Sequence, residues 1–253
     1  VNILEYCKRV SAGLILLSTS RVYSIPGLSN LQVDVQDGAY VPRAEQDFRL
    51  GLSPAGVSEA YSTQSPVSLY GATKVASESL ALEYGATFGF PVWVNRCGVL
   101  AGAGQFGRPD QGIFAYWLHS WQQRRPLKYI GFDGQGHQVR DCLHPSDLAA
   151  MLQLQIAAGQ DDSKASVQNL SGGARSAISL RQLSDWCGDR LGAHQVNSTA
   201  EERPFDIPWM VLDSGLAETQ WQWQATRSME SILEEIAQHA EANPDWLELS
   251  TAY

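Results

Sequence analysis

An α/β fold organised on a parallel sheet is what this sequence predicts, and three observations predict it. Two short, continuous apolar runs, "GLILLST" (residues 13–19) and "PVWVNRCGVL" (residues 91–100), have the composition of strands buried on both faces. A helical segment from about residue 68 to 84 lies between them, ended by Gly85 and again by Gly89. Helix, strand, helix, strand in this run type is the pattern of parallel crossovers rather than of hairpins.

The remaining elements follow in order. Residues 2–10, "NILEYCKRV", read as the second half of an amphipathic helix with Ile3, Leu4, Tyr6 and Cys7 to one side. Residues 24–67 are rich in Gly, Pro, Ser, Asp and Gln with little periodicity, so a long, mostly irregular connection is expected. After residue 105 a helix fits 112–123, short strands fit "LKYIGF" and "HQVRDCL", and a helix fits 145–158. "SVQNLSG" reads as another buried strand. "SLRQLSDWCGDRLG" is an amphipathic helix with Ser179 as N-cap and Gly192 as its stop. A last helix fits 228–242 and ends before Pro244.

Composition bounds the function. The 253 residues are 44% apolar and 18% charged, which suits a globular enzyme with a sizeable core. A formal charge of -9 argues against a nucleic-acid surface, which needs clustered Lys and Arg. The one dense basic spot, Arg124-Arg125, fits a helix C-terminus. Cys7, Cys97, Cys142 and Cys187 are far apart with no C-x-x-C pair, so reduced thiols are expected. Five scattered histidines have no ligand spacing, and no metal site is predicted. The longest apolar run is too short to cross a bilayer and no signal-peptide pattern is read, so a cytoplasmic protein without membrane contact is expected. Residue 1 is Val, the first methionine is Met151, and the chain starts as if mid-helix. A fragment, a processed chain or an incomplete reading frame is the expectation.

Tyr70 and Lys74 are four residues apart, which stacks them on one helical face. Oxidation of an alcohol by hydride transfer needs a base for the hydroxyl proton. A free tyrosine loses its proton near pH 10, and a neighbouring ammonium favours the phenolate. "LLSTSRVYS" adds the hydroxyls of Ser18, Thr19 and Ser20 where a parallel strand ends, the edge at which ligands sit. The same spacing also arises by chance on many helices. What favours the device is its setting, with a hydroxyl-rich strand end before it and a buried strand after it.

The series "STSRVYS", "SLYGATKVASE", "NRCGVLAGAGQFGRPDQG", "GQGHQVRDCLHPSDLA" and "NLSGG", in that order, resembles the extended short-chain dehydrogenase/reductases, the NAD-dependent nucleotide-sugar epimerases and dehydratases. "GQFGRPDQG", "GQGHQVRD" and "ANPDWLEL" are most similar to the CDP-paratose 2-epimerase (CDP-tyvelose epimerase) group. The resemblance implies a partial Rossmann-like sheet, its N-terminal strands missing, with a smaller C-terminal α/β substrate domain. Residues 1–104 and 144–175 would form the remaining NAD-binding part, and residues 105–143 and 176–253 the nucleotide-sugar domain.

Residue by residue, the resemblance makes Tyr70 the base, Lys74 the holder of the nicotinamide ribose, and Thr19 the group on the reacting hydroxyl. Ser18, Arg96 and Cys97 fall on the cofactor side, Gln105 and Gln111 on the sugar-nucleotide loop. Arg140 and Arg203 match the arginines that grip the diphosphate. Each has a plainer alternative: a strand-end carbonyl for Thr19, an ion pair with Asp141 for Arg140, and a surface bridge to Glu201 or Glu202 for Arg203. Gln105 and Gln111 also fit as loop hydrogen bonders, and His144 and Asp147 as a helix-start cap. In the sugar dehydratases Asp-Glu follows the threonine; here Ser20-Arg21 follow, which disfavours dehydration.

"GAGQFG" (residues 102–107) is a formal G-x-G-x-x-G, but "RPDQG" follows it instead of an apolar helix, so it is not read as a dinucleotide fingerprint. The expected function is an NAD-dependent epimerase acting on a nucleotide sugar, a CDP-sugar before others, through transient oxidation to a keto-sugar. The alternatives are an inactive truncated relative serving as a binding or scaffold module, and another extended-family reductase or decarboxylase. A homodimer, or pairing with another chain, is the expected assembly.

Overall fold

Residues 1–109, 111–199, 201 and 206–251 are described in a computed structural model. The chain opens with α1 (Asn2–Val10), whose Leu4 and Cys7 are buried while Ile3 and Tyr6 face outward, so only half of the predicted apolar side turns inward. It continues into β1 (Leu14–Thr19) and, after a one-turn 3-10 helix at Ser20–Val22, into α2 (Ile25–Ser29).

The connection expected to be irregular is instead folded. It holds α2, the hairpin β2 (Val33–Gln36) and β3 (Ala39–Pro42), and the hairpin β4 (Leu52–Ser53) and β5 (Gly56–Val57). Its spaced apolar residues Ile25, Leu28, Leu31, Leu52, Val57 and Tyr61 form one core with residues 207–212. Their partners are far away in sequence, so no local periodicity announces them.

Next come α3 (Ser68–Phe88), β6 (Val92–Cys97) and β7 (Val99–Leu100). Gly85 does not end α3: it lies inside the helix, where a Cβ would stand 2.6 Å from Val92, and Gly89 supplies the left-handed cap. Then follow α4 (Ile113–Gln122), β8 (Leu127–Tyr129), β9 (Val139–Leu143), α5 (Pro145–Ala158) and β10 (Val167–Leu170). The C-terminal part contains β11 (Ala177–Ser179), α6 (Leu180–Leu191), β12 (Val196–Ser198), β13 (Trp209–Met210), α7 (Gly215–Trp221) and α8 (Met229–Ala242). Ser179 caps α6 in a full capping box with Gln182, as its sequence predicts. A short helix absent from the sequence reading, α9 (Trp246–Thr251), closes the described chain.

β1, β6 and β10 make a three-stranded parallel sheet with β6 in the centre. β6 is buried throughout, in keeping with its continuous apolar run. One sheet face packs on α1 and α3 through Leu4, Cys7, Ala81, Val92 and Val94. The other packs Trp93 and Cys97 on Leu148, Met151, Ala217 and Trp221 of α5 and α7. This is the α/β arrangement the sequence predicts. A separate core joins α4, α6 and α8. All four cysteines are free and buried. No helix among the described residues is long and apolar enough to cross a membrane.

Candidate active site at the carboxyl edge of the sheet

Tyr70 sits in the first turn of α3 and Lys74 in the next, on one face. The Lys74 ammonium is 5.9 Å from the Tyr70 ring centre and donates to the Leu17 carbonyl at 3.3 Å. This bond ties α3 to the end of β1. The Tyr70 ring is 54% exposed, open to a ligand at that edge. Gly71 makes the close approach possible: a Cβ there would stand 2.3 Å from the Arg21 carbonyl oxygen. The backbone of α3 therefore lies directly on the turn that follows Thr19. Thr19 ends β1, and its hydroxyl oxygen accepts the Arg21 N–H at 3.3 Å, capping that turn.

Beneath this edge lies a rung of polar residues. Ser18, Arg96 and Asn169 are in register across β1, β6 and β10, and all three are buried. Glu78, one turn beyond Lys74 on α3, accepts from the Ser18 hydroxyl and receives Arg96 through two nitrogens, the shortest contact being 2.7 Å. Arg96 also donates to the Tyr23 hydroxyl at 3.3 Å, which donates to Asn169 at 2.6 Å. The Asn169 N–H reaches Glu59 at 2.6 Å. Burial works against the Arg96 charge, but Glu78 and Tyr23 together more than offset it and hold the guanidinium above its ordinary pKa. Burial also pushes the Tyr23 phenol up to about 12 and raises the Glu59 carboxyl.

Ser18 and Arg96 thus point into the support beneath the edge. Cys97 is also buried, and burial pushes its thiol up to about 12 against the pull of Lys74, so it is no nucleophile. Glu78 was not singled out from the sequence, although its spacing of four from Lys74 and eight from Tyr70 places it on the same helical face. Tyr23, Glu59 and Asn169 carry no such local signal, since their contacts span the sheet.

The other predicted residues are placed as follows. Gln105 is turned inward: its amide donates to the Leu100 carbonyl and its oxygen accepts the Ala115 N–H at 3.3 Å. Gln111 is exposed and forms a bridge with Arg108. Arg140 donates to the Val139 and Ile207 carbonyls at 2.7 and 2.9 Å and, among the described residues, pairs with Asp206 at 3.5 Å rather than with the adjacent Asp141. Asp141 is buried, raised to about 6 by that burial, and accepts from the Ser171 hydroxyl and the Leu212 N–H. Arg203 lies outside the described residues. His144 caps α5 through the Ser146 N–H, as read from sequence. Asp147 instead receives Thr226 and the Arg227 N–H, bonding α5 to the segment before α8.

Comparison with known proteins places the chain by family and by fold. The sequence model of the NAD dependent epimerase/dehydratase family matches residues 1–170. CDP-paratose 2-epimerase of Salmonella typhi is 27% identical over 196 residues, 74% of this chain and 54% of that protein. A probable dTDP-glucose 4,6-dehydratase of Sinorhizobium fredii is 26% identical over 204 residues, 77% and 55% of the two chains. Among solved structures, dTDP-glucose 4,6-dehydratase from Bacillus anthracis in complex with NAD has a TM-score of 0.70 at 20% identity, covering 98% of this chain and 68% of that one. A UDP-glucuronic acid 4-epimerase mutant from Bacillus cereus has a TM-score of 0.68 at 21% identity, covering 95% and 65%. The chain spans about half the length of the curated relatives it matches. With the family model covering two thirds of its residues and the same fold in its neighbours, this chain belongs to the NAD-dependent epimerase/dehydratase family.

Proposed function

We propose that the protein carrying this chain is a nucleotide-sugar epimerase of the CDP-paratose 2-epimerase type, working by transient oxidation of a sugar hydroxyl. The observation that carries the reading is the convergence of Thr19, Tyr70 and Lys74 at one sheet edge, with Ser20-Arg21 after the threonine in place of a carboxylate pair. The residues present suit the nicotinamide-ribose end of NAD: the Lys74 ammonium and the exposed Tyr70 phenol lie on one face beside the strand end. Bound NAD would supply hydride acceptance and return.

The chain's own part is proton handling and orientation. Tyr70 takes the proton of the sugar hydroxyl and returns it. Lys74 provides a positive charge beside the reacting oxygen and donors for the ribose hydroxyls. The Thr19 hydroxyl donates to the reacting oxygen and fixes it toward Tyr70. No carboxylate stands at positions 20 and 21 to drive loss of water, which separates this site from a dehydratase.

The test is incubation of the protein with NAD and a CDP-sugar, following the anomeric protons by NMR. Wild-type protein should produce the epimer, and Tyr70→Phe should lower turnover by at least about a hundredfold with nearly unchanged sugar-nucleotide affinity. Unchanged turnover in Tyr70→Phe would remove it as the base. We also read the exposed apolar side chains Ile3, Tyr6 and Val10 of α1 with Leu69, Leu80 and Phe88 of α3 as a homodimer face. A monomer by light scattering at micromolar concentration would refute that.

A further inference from the structure

The loop that begins after β7 is held from beneath by the end of the chain. The Trp246 indole N–H donates to the Gln105 carbonyl at 2.8 Å. Its ring stacks on Phe106, with centroids 5.3 Å apart and planes 12° from parallel. One turn later the Ser250 hydroxyl accepts the Gly107 N–H at 3.3 Å, and its carbonyl accepts Arg108 Nε at 2.8 Å. Four consecutive residues, 105 to 108, are each bound by α9. The front of the loop is pinned by α8, where Glu235 accepts the Ala103 N–H at 3.1 Å.

α9 is itself anchored. Leu247 and Ser250 are 2% and 1% exposed. Trp246 meets the His239 ring edge-on at 4.8 Å, and His239 in turn lies 3.3 Å from His119 of α4. Arg125, just beyond α4, pairs with Glu248, and Gln123 donates to the Pro244 carbonyl. Docking a six-residue helix costs conformational entropy, and its exposed face gains nothing from being helical in isolation. What the docking adds is a fixed backbone for residues 105–108, in a stretch made pliable by Gly104 and Gly107.

We infer that Trp246 is a positioning residue for the nucleotide-sugar site: α9 clamps residues 105–108 into the shape that receives the sugar nucleotide. This rests on the proposed function together with the family resemblance that makes residues 105–111 the sugar-nucleotide loop. A loop already ordered before the ligand arrives spares the ligand the cost of ordering it, so loosening the clamp weakens binding without touching the substrate.

The test uses the full chain with Trp246→Ala and Trp246→Phe. The phenylalanine keeps a ring to stack on Phe106 and loses the N–H with part of the indole surface. Amide exchange of residues 105–108, followed by mass spectrometry, should quicken at least about tenfold in Trp246→Ala and less in Trp246→Phe, while β1, β6 and β10 keep their protection. Binding of CDP-glucose and UDP-glucuronic acid, followed by ligand-observed NMR, should weaken roughly tenfold in Trp246→Ala, with partial recovery in Trp246→Phe. Unchanged exchange in the loop overturns the clamp. Faster exchange with unchanged affinity overturns the positioning role. Wild-type protein that binds neither nucleotide sugar sinks the proposed ligand class instead, and the exchange result then decides the clamp alone.

Discussion

Two buried polar clusters in this molecule are built on opposite terms. Under the candidate site, Ser18, Glu78, Arg96, Tyr23 and Asn169 form a charged network in which the guanidinium and the carboxylate satisfy each other. Between α4 and α8, His119 and His239 touch as neutral rings, and His119 Nδ1 has no hydrogen-bond partner among the described residues. Desolvation penalises charge in both places. The first cluster answers with a bidentate counter-ion, the second by shedding its proton. Burial, aided by His239, lowers His119 to about 4. One cluster is therefore vulnerable to loss of a partner, the other to gain of a proton.

The largest expected effect follows from the first vulnerability. Arg96→Ala leaves the Glu78 carboxylate buried and unpaired, and urea denaturation should show a loss of about 3–5 kcal/mol. Replacing both Arg96 and Glu78 by methionine should restore most of it. A single-variant loss below about 1 kcal/mol would mean that the network is not held by its ion pair.

A somewhat smaller effect follows from the second. His119 has its folded-state pKa depressed from 6.5 to about 4, so its contribution is complete above pH 6.5 and is lost as pH falls through about 4. The loss is at most about 3 kcal/mol. Asp141 acts in the opposite sense: raised to about 6, it stabilises increasingly as pH falls below that value. The informative quantity is thus the difference between wild type and His119→Phe, followed by thermal melts from pH 7.5 to 4. That difference should grow in favour of the variant with acidity. Parallel curves would place the acid sensitivity elsewhere. The smallest effect is at pH 7.5, where His119→Phe should be neutral or stabilising by about 1 kcal/mol, because it removes an unpartnered ring nitrogen.

How legible the molecule was depends on the range of the forces involved. β1 and β6 could be read from their apolar runs, and α6 from its Ser179 cap and Gly192 stop, because those signals are local. That Tyr70 and Lys74 share one helical face could be read from their spacing. The folded state of residues 24–62 could not, since its side chains are ordered by contact with residues 207–212. α9 follows Pro244 with six residues, too few for a periodic pattern, and its helix exists through docking. The direction of Arg96 was hidden for a related reason: strand register aligns it with Ser18 and Asn169, but only the packing of α3 brings Glu78 to it.

Gly71 has a consequence for how such sites are recognised. Any side chain at that position would push α3 off the turn after Thr19, and Tyr70 with it. The tyrosine–lysine spacing alone therefore carries little information, whereas Tyr-Gly-x-x-Lys-x-x-x-Glu encodes three separate requirements. The glycine sets how near the helix comes, the tyrosine and lysine stand on one face at the end of β1, and the glutamate locks the helix to the arginine of the neighbouring strand. A search pattern written this way, with an arginine eighteen residues beyond the glutamate, selects for the geometry of the site rather than for the chance recurrence of two residues.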